Sequence, residues 1–408
     1  MFAHLEDLQH IADDNGGNRA VGTRGFDDSV DYMVKALRDK GFDVQTPEFE
    51  FRHFEPGPLT LTVKGAPVEA KAMEYSIGTG PAGVSGPLVA APAQDDSPGC
   101  SASDFDGLQM TGAIALVDRG VCPFSDKEEA AAQRGAVALI VADNEDNNKS
   151  AGTLGAKADV KIPVISVSKA EGQRLRAQPG PTTIKLDAKV SMIKARNVIA
   201  QTKTGSTQNV VMVGGHLDSV PAGPGINDNG SGVAAVLETA LQLGSSPPIQ
   251  NAVRFAFWGG EELGLIGSDK YIATLDENAL KDIALYLNFD MLASPNPGYF
   301  TYDGDQSTAP RPEEGPPRVP EGSAGIERTL VAFLATAGKP AQDTSFNGRS
   351  DYSGFTRAGV PSGGLFSGAE DDKSPDQARL WGGDANKPFD PNYHKPTDTL
   401  SHIDKAAL

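Results

Sequence analysis

A chain of 408 residues is long for one core and suits a large domain with a smaller companion. Its 39% hydrophobic content can fill a packed interior, which excludes wholesale disorder. The net charge of -18 argues against nucleic acid or anionic membranes as partners, because phosphate binding needs clustered Lys and Arg. No apolar run approaches the roughly 20 residues that span a bilayer.

Residues 4–14 and 26–41 carry helical spacing. In the second, Val30, Met33, Val34 and Leu37 recur on one face and Gly41 stops it. Residues 42–51 and 59–63 alternate like strands. Met1 and Phe2 lead straight into a helix with neither a basic nor an apolar leader, so a secreted protein is expected to have lost its signal peptide. His4, His10 and His53 have no carboxylate or Cys partners at ligand spacing and read as packing residues.

From about Ala72 to Ala188 short strand candidates (87–89, 113–117, 137–142 and 162–167) alternate with Gly-, Pro- and Asp-rich turns, with one helix at 126–134. The segment holds no His and no nucleophile–base pair. It reads as a β-rich module inserted between residues 1–71 and 189–408 of the larger domain. Its two cysteines, Cys100 and Cys122, are either buried thiols or a disulfide closing a short loop. We favour the disulfide, which implies an oxidising compartment.

After Asn197 strands alternate with helices. The run Val210–Val213 ends at Gly214-Gly215 and delivers His216 and Asp218. Asp228 follows in the turn Asn227–Gly232, before a helical face of Val233, Val236, Leu237, Ala240 and Leu241. Then come a strand (252–258), a helix (263–275), a strand (283–291) and a Pro- and Gly-rich segment (296–323). That segment reads as a surface loop, either a functional rim or a mere excursion. Helices at 326–337 and 352–358, a strand at 362–366 and a C-terminal loop complete an α/β domain with a mixed, mostly parallel sheet.

Four strand-end loops carry candidate ligands: His216 with Asp218, Asp228, the pair Glu261-Glu262, and Asp290. A fifth candidate, His394, lies near the C-terminus. Taken singly, each is an ordinary cap, turn or packed residue. Taken together, carboxylates at one sheet edge repel, and a cation turns that cost into a binding site. Two His and three carboxylates cannot fill two closed sites, but a bridging carboxylate lets them serve two metals. Imidazole with carboxylate suits catalytic zinc. Because Glu261 and Glu262 are adjacent, one can bind metal while the other acts as general base. Asp218 is placed to orient the His216 imidazole.

The stretches GGHLDSVPAGPGINDNGSG, FAFWGGEELGLIGSDKY, NFDM, NGRSDYSGFTRAGVPSGGLFSGAED and WGGDANKPFDPNYHKPTDTLSHID resemble the secreted bacterial leucyl aminopeptidases with co-catalytic zinc. The segment Asp118–Phe124 resembles part of a protease-associated (PA) domain. The resemblance implies a three-layer zinc-exopeptidase domain with a PA insert. It implies two Zn2+ ions, His216 and Asp290 on one, Glu262 and His394 on the other, and Asp228 bridging, with a cis bond at Asp228-Asn229. It further implies Glu261 as general base, Tyr393 as oxyanion donor, Arg349 and Asp351 at the substrate end, and Phe366 in an apolar pocket. The disulfide that relatives often carry near the metal-binding C-terminal His has no counterpart here, where Pro396 stands instead.

We therefore expect a monomeric, secreted metalloaminopeptidase that hydrolyses large apolar N-terminal residues from peptides through a two-zinc-activated water, with a calcium site left open. A glutaminyl cyclase-like acyltransferase, a carboxypeptidase and a non-catalytic receptor-like ectodomain are the alternatives on this fold.

Overall fold

The computed structural model describes residues 1–92, 98–145, 152–308 and 319–408. They form two compact units, one joining Met1–Phe49 to Lys194–Leu408 and the other Glu50–Ile193.

The apolar runs of the first unit become one sheet. Its strands are β1 (Asp43–Gln45), β2 (Val198–Gln201), β3 (Ser206–His216), β4 (Asn251–Trp258), β5 (Ile283–Phe289), β6 (Phe300–Tyr302), β7 (Gln342–Thr344) and β8 (Ser362–Phe366). Their spatial order is β1-β2-β4-β3-β5-β8-β6-β7. The central strands β4, β3, β5 and β8 run parallel, while β2 joins β4 and β6 joins β8 antiparallel. The sheet is thus mixed and mostly parallel, as the sequence pattern implies.

Parallel neighbours need crossover connections, which helices between the strands supply, and further helices cover the sheet. They are α1 (Phe2–Asp14), α2 (Arg24–Asp39), α3 (Gly232–Leu243), α4 (Ile266–Ala273), α5 (Ser323–Thr336) and α6 (Tyr352–Arg357). Helix α2 begins where the Thr23 side chain accepts from Phe26 N, and Gly41, at φ 89°, turns the chain beyond its end. Helices α1, α2 and α3 pack together, with α3 lying along β3, β4 and β5. Side chains alternate along β4. Phe255 meets Phe42 at 5.9 Å between ring centroids. Trp258 faces the opposite layer with Tyr286, Phe355 and Tyr271. Trp258, Tyr286 and Phe355 are fully buried, and each contributes roughly 2–3 kcal/mol by leaving water.

In the second unit Val84–Ala90, Ile114–Asp118, Ala138–Ala142 and Val164–Val167 run parallel. Helices cover Phe124–Gln133 and Lys169–Ala177. The sequence reading misses the second helix. Its signal is Ser168 followed three residues later by Glu171, and the Ser168 hydroxyl accepts from Glu171 N at 3.2 Å. Within this compact unit Leu59–Val63, which the sequence reading groups with the larger domain, pairs with Pro181–Leu186. Cys100 and Cys122 are joined in a disulfide.

The segment read as a loop over 296–323 contains β6, because Phe300 and Tyr302 bury their rings. Residues 309–318 of it lie outside the described residues. The C-terminal stretch is also not all loop. Ser374 and Gln377 form a capping box that starts a helix over Pro375–Trp381.

Strand β8 lies so close to β5 that a Cβ at Gly364 would sit 1.8 Å from the Asn288 carbonyl oxygen. Gly364→Ala is expected to lower unfolding free energy by about 2–3 kcal/mol in urea titration. A wild-type midpoint would contradict this register.

Candidate active site

Strand β3 ends at His216, β4 at Trp258 and β5 at Phe289, so the loops that follow all open at the carboxyl edge of the parallel strands. There the five expected ligands meet. His216 Nε2 lies 3.2 Å from Asp228 Oδ1 and 3.3 Å from Asp290 Oδ1. His394 Nε2 lies 3.1 Å from Asp228 Oδ2 and 3.0 Å from Glu262 Oε2. Two donor groups therefore form, one from His216, Asp228 and Asp290 and one from Asp228, Glu262 and His394, and Asp228 belongs to both. Glu261 approaches His216 Nε2 at 3.9 Å. The Asp228-Asn229 peptide is cis, as the resemblance implies.

Asp218 holds the His216 imidazole from behind. Its backbone carbonyl, not its carboxylate, accepts from His216 Nδ1 at 3.0 Å, leaving Nε2 to face the carboxylates. Its carboxylate oxygens instead accept from Glu261 N and Glu262 N, both at 3.3 Å, and so hold the turn that carries both glutamates.

Sequence reasoning missed three supports. Asn227 and Asn229 flank Asp228 and tie it to the loop after β5. Asn227 Oδ1 accepts from Ala293 N at 2.9 Å, and Asn229 Oδ1 accepts from Met291 N at 3.1 Å. Their signal is the Asn-Asp-Asn run itself, whose side chains are suited to bonding nearby backbone. Arg19 is fully buried and donates to the carbonyls of Leu217, Pro224 (2.9 Å) and Gly225 (2.7 Å). Burial pushes its guanidinium down to about 10, so it remains a cation behind the ligand loops. Nothing in the local sequence marks it.

The electrostatics follow from burial. Desolvation and neighbouring Asp228 push Glu262 up to about 7, against the pull of His394. Desolvation, with Asp290, Asp351 and Glu262 close by, pushes Glu261 well above the carboxylate range despite His216. Burial opposes the charge on His394, but Asp228 and Glu262 outweigh it and raise the imidazole to about 10. Among the described residues, buried Glu262 Oε1 and Asp290 Oδ1 accept no hydrogen bond, although His216 Nε2 comes within 3.3 Å of the latter. Orphaned carboxylate oxygens beside two imidazoles fit a bound cation, and this donor set fits zinc.

A cleft of about 420 Å³ opens from Glu261, Asp228 and Asp290. Tyr393 borders it, stacked on the His394 ring at 3.8 Å, and its hydroxyl accepts from Arg349 Nη2 at 3.2 Å. Burial near Asp228 raises Tyr393 above the usual phenol range, so it stays protonated. Phe366 lines the cleft with Met291, Phe300 and Phe389. Asp351 does not reach it. It is fully buried, and burial pushes it up to about 7 against the pull of nearby His216 and Ser268. Expected at the substrate end, Asp351 is instead buried at the start of α6, while its neighbours Ser350 and Tyr352 line the cleft.

Asp303, Glu327 and Asp343 form another acidic cluster. Each is already occupied. Asp303 accepts from Ser307 N and Thr308 N, Glu327 from Gly304 N and Asp305 N, and Asp343 from the Ser307 and Thr308 hydroxyls. These bonds account for the cluster as the fold of the 303–308 turn.

Comparison with known proteins agrees with this geometry. Residues 197–408 match peptidase family M28, and residues 84–175 match the PA domain. A "probable lipoprotein aminopeptidase" of Mycobacterium tuberculosis is 70% identical over 408 residues, covering 100% of this chain and 81% of its own. A "probable leucine aminopeptidase 2" of Trichophyton verrucosum is 39% identical over 416 residues, covering 100% and 80%. The aminopeptidase from Aneurinibacillus sp. strain AM-1 superposes with a TM-score of 0.76 at 28% identity, covering 100% of this chain and 89% of its own. A zinc aminopeptidase from Bacillus subtilis gives 0.67 at 26%, covering 99% and 90%. Fold, donor set and relatives together define the class, zinc-dependent aminopeptidases. The chain belongs to peptidase family M28 and carries a PA domain.

Zinc binding by His394 would require the imidazole to give up a proton that Asp228 and Glu262 favour well above the ordinary histidine range. Adding zinc to weakly buffered metal-free protein near neutrality is therefore expected to release protons, and affinity should climb as pH rises toward about 10. Affinity independent of pH would contradict a protonated His394 in the metal-free site.

Proposed function

We propose that the enzyme removes N-terminal residues from peptides, preferring large apolar side chains, at a site that holds two zinc ions. The observation that carries this reading is the division of Asp228, one oxygen toward His216 and the other toward His394. His216 and Asp290 would hold one ion, Glu262 and His394 the other, and Asp228 both. Zinc bound there supplies Lewis acidity and an acidified water.

The chain's own residues do the rest. Glu261 sits at the cleft wall with its carboxyl raised by burial, suited to take the proton from the attacking water and return it to the leaving amine. Tyr393, kept protonated, donates to the developing oxyanion, with Arg349 holding its oxygen in place. Arg349 is itself paired with Glu370 at 2.9 Å. The substrate α-amine would rest against Glu261 and Asp290, which accounts for exo action. The first side chain would lie against Phe366, with Met291, Phe300 and Phe389 completing an apolar wall.

We place the enzyme outside the cytoplasm on the strength of its disulfide, and expect it to act as a monomer. Among the described residues no helix is long and apolar enough to cross a membrane. The inserted unit would serve substrate access or partner contact without chemistry of its own.

Glu261→Gln is expected to retain zinc and to lose about 10²–10⁴-fold in kcat on leucine p-nitroanilide. Unchanged kcat in the zinc-loaded variant would remove Glu261 from the mechanism. N-acetylation of the substrate is expected to abolish hydrolysis in the wild type.

A further inference from the structure

Three successive amide groups around the shared ligand all donate to one residue. Ile226 N donates to the Asp398 carbonyl oxygen at 3.2 Å, Asn227 N to Asp398 Oδ1 at 2.8 Å, and Asp228 N to Asp398 Oδ2 at 3.0 Å. Asp398 is 3% exposed, so these bonds have no competition from bulk water. It stands four residues after His394, in a turn closed by its own N–H donating to Lys395 O at 3.0 Å.

The two loops also touch directly. Gly223 passes against Lys395 so closely that a Cβ there would fall 2.2 Å from the Lys395 carbonyl oxygen. On the same segment Asp390 Oδ2 accepts from Asn227 Nδ2 at 2.6 Å. The stretch from 390 to 398 therefore carries His394 in its middle and holds the 226–228 turn from both ends, its backbone through Asp398 and the Asn227 side chain through Asp390.

We infer that Asp398 is a positioning residue that fixes Asp228 against His394 and thereby sets how tightly both zinc ions are held. This rests on the two-ion reading above. A carboxylate can accept from two neighbouring N–H groups at once. An amide of the same shape offers one oxygen and turns an NH2 group toward the other N–H, which forces the peptide carrying Asp228 to move. Because Asp228 is shared, the displacement reaches both donor groups. A residue that only stabilised the fold would change the melting temperature and leave the geometry around the ions as it was.

The test compares wild type with Asp398→Asn. Zinc affinity is read by competition with a chelator, coordination by the electronic spectrum of the cobalt-substituted protein, and kcat and KM on leucine p-nitroanilide. Asp398→Asn is expected to bind both ions about 10–100-fold more weakly, in line with other groups that orient metal ligands. Its cobalt spectrum should shift, and kcat should fall at limiting zinc and recover with excess zinc while KM stays close to wild type. Wild-type affinity and an unshifted spectrum in Asp398→Asn overturn the inference. If the wild type itself takes up a single zinc ion, the two-ion reading fails and the inference falls with it, an outcome the variant alone cannot produce. Should Asp398→Asn fail to fold, hydrogen exchange in the metal-free wild type decides. The amides of Asn227 and Asp228 are expected to stay protected, and rapid exchange there overturns the inference.

Discussion

Four carboxylates, those of Asp228, Glu261, Glu262 and Asp290, are gathered with two imidazoles at the end of a parallel sheet, mostly out of reach of bulk water. Their charges repel most strongly where the surroundings are least polarisable. No arrangement of the chain alone removes that repulsion: Glu262 and Glu261 are driven toward protonation, and His216 and His394 are drawn toward the charged form. A divalent cation resolves the conflict. The rest of the fold can be understood as the apparatus that keeps these groups together in its absence.

That apparatus is mostly backbone hydrogen bonding by buried polar side chains. Asp218 takes the two N–H groups of the glutamate turn, Arg19 gathers three carbonyls of the 217–225 crossing, and Asn227 and Asn229 join the Asp228 turn to the loop after β5. Each leaves the ligand atoms themselves free. Behind them the aromatic layer of Trp258, Tyr286 and Phe355 gives the strand ends a rigid floor, with Tyr286 and Phe355 stacked at 4.0 Å. Preorganisation of this kind is what lets a site bind a cation and a substrate without rearranging.

Much of this is legible in the order of residues alone. His216, Glu261, Glu262 and Asp290 each follow an apolar run that ends in a break, and that pattern places a residue at a strand end whatever its chemistry. His394 has no such run before it and stands out through its resemblance to known motifs. What stays hidden depends on contacts far apart in the chain. Arg19 works through carbonyls about two hundred residues away, and Asp398 through amides 170 residues away. Asp351 sits in a motif beside cleft-lining residues, yet one turn of backbone buries it. Strand β6 is obscured by the Pro and Gly around it, since its three buried residues are too few to show a period.

The chemistry we propose for this peptidase stands on two ions sharing one carboxylate. Anomalous X-ray scattering at the zinc edge from crystals of the zinc-loaded enzyme reads that directly. Two peaks about 3.5–4 Å apart, with the Asp228 carboxylate between them, are the expected result. A single peak, or two peaks that Asp228 does not bridge, would contradict it.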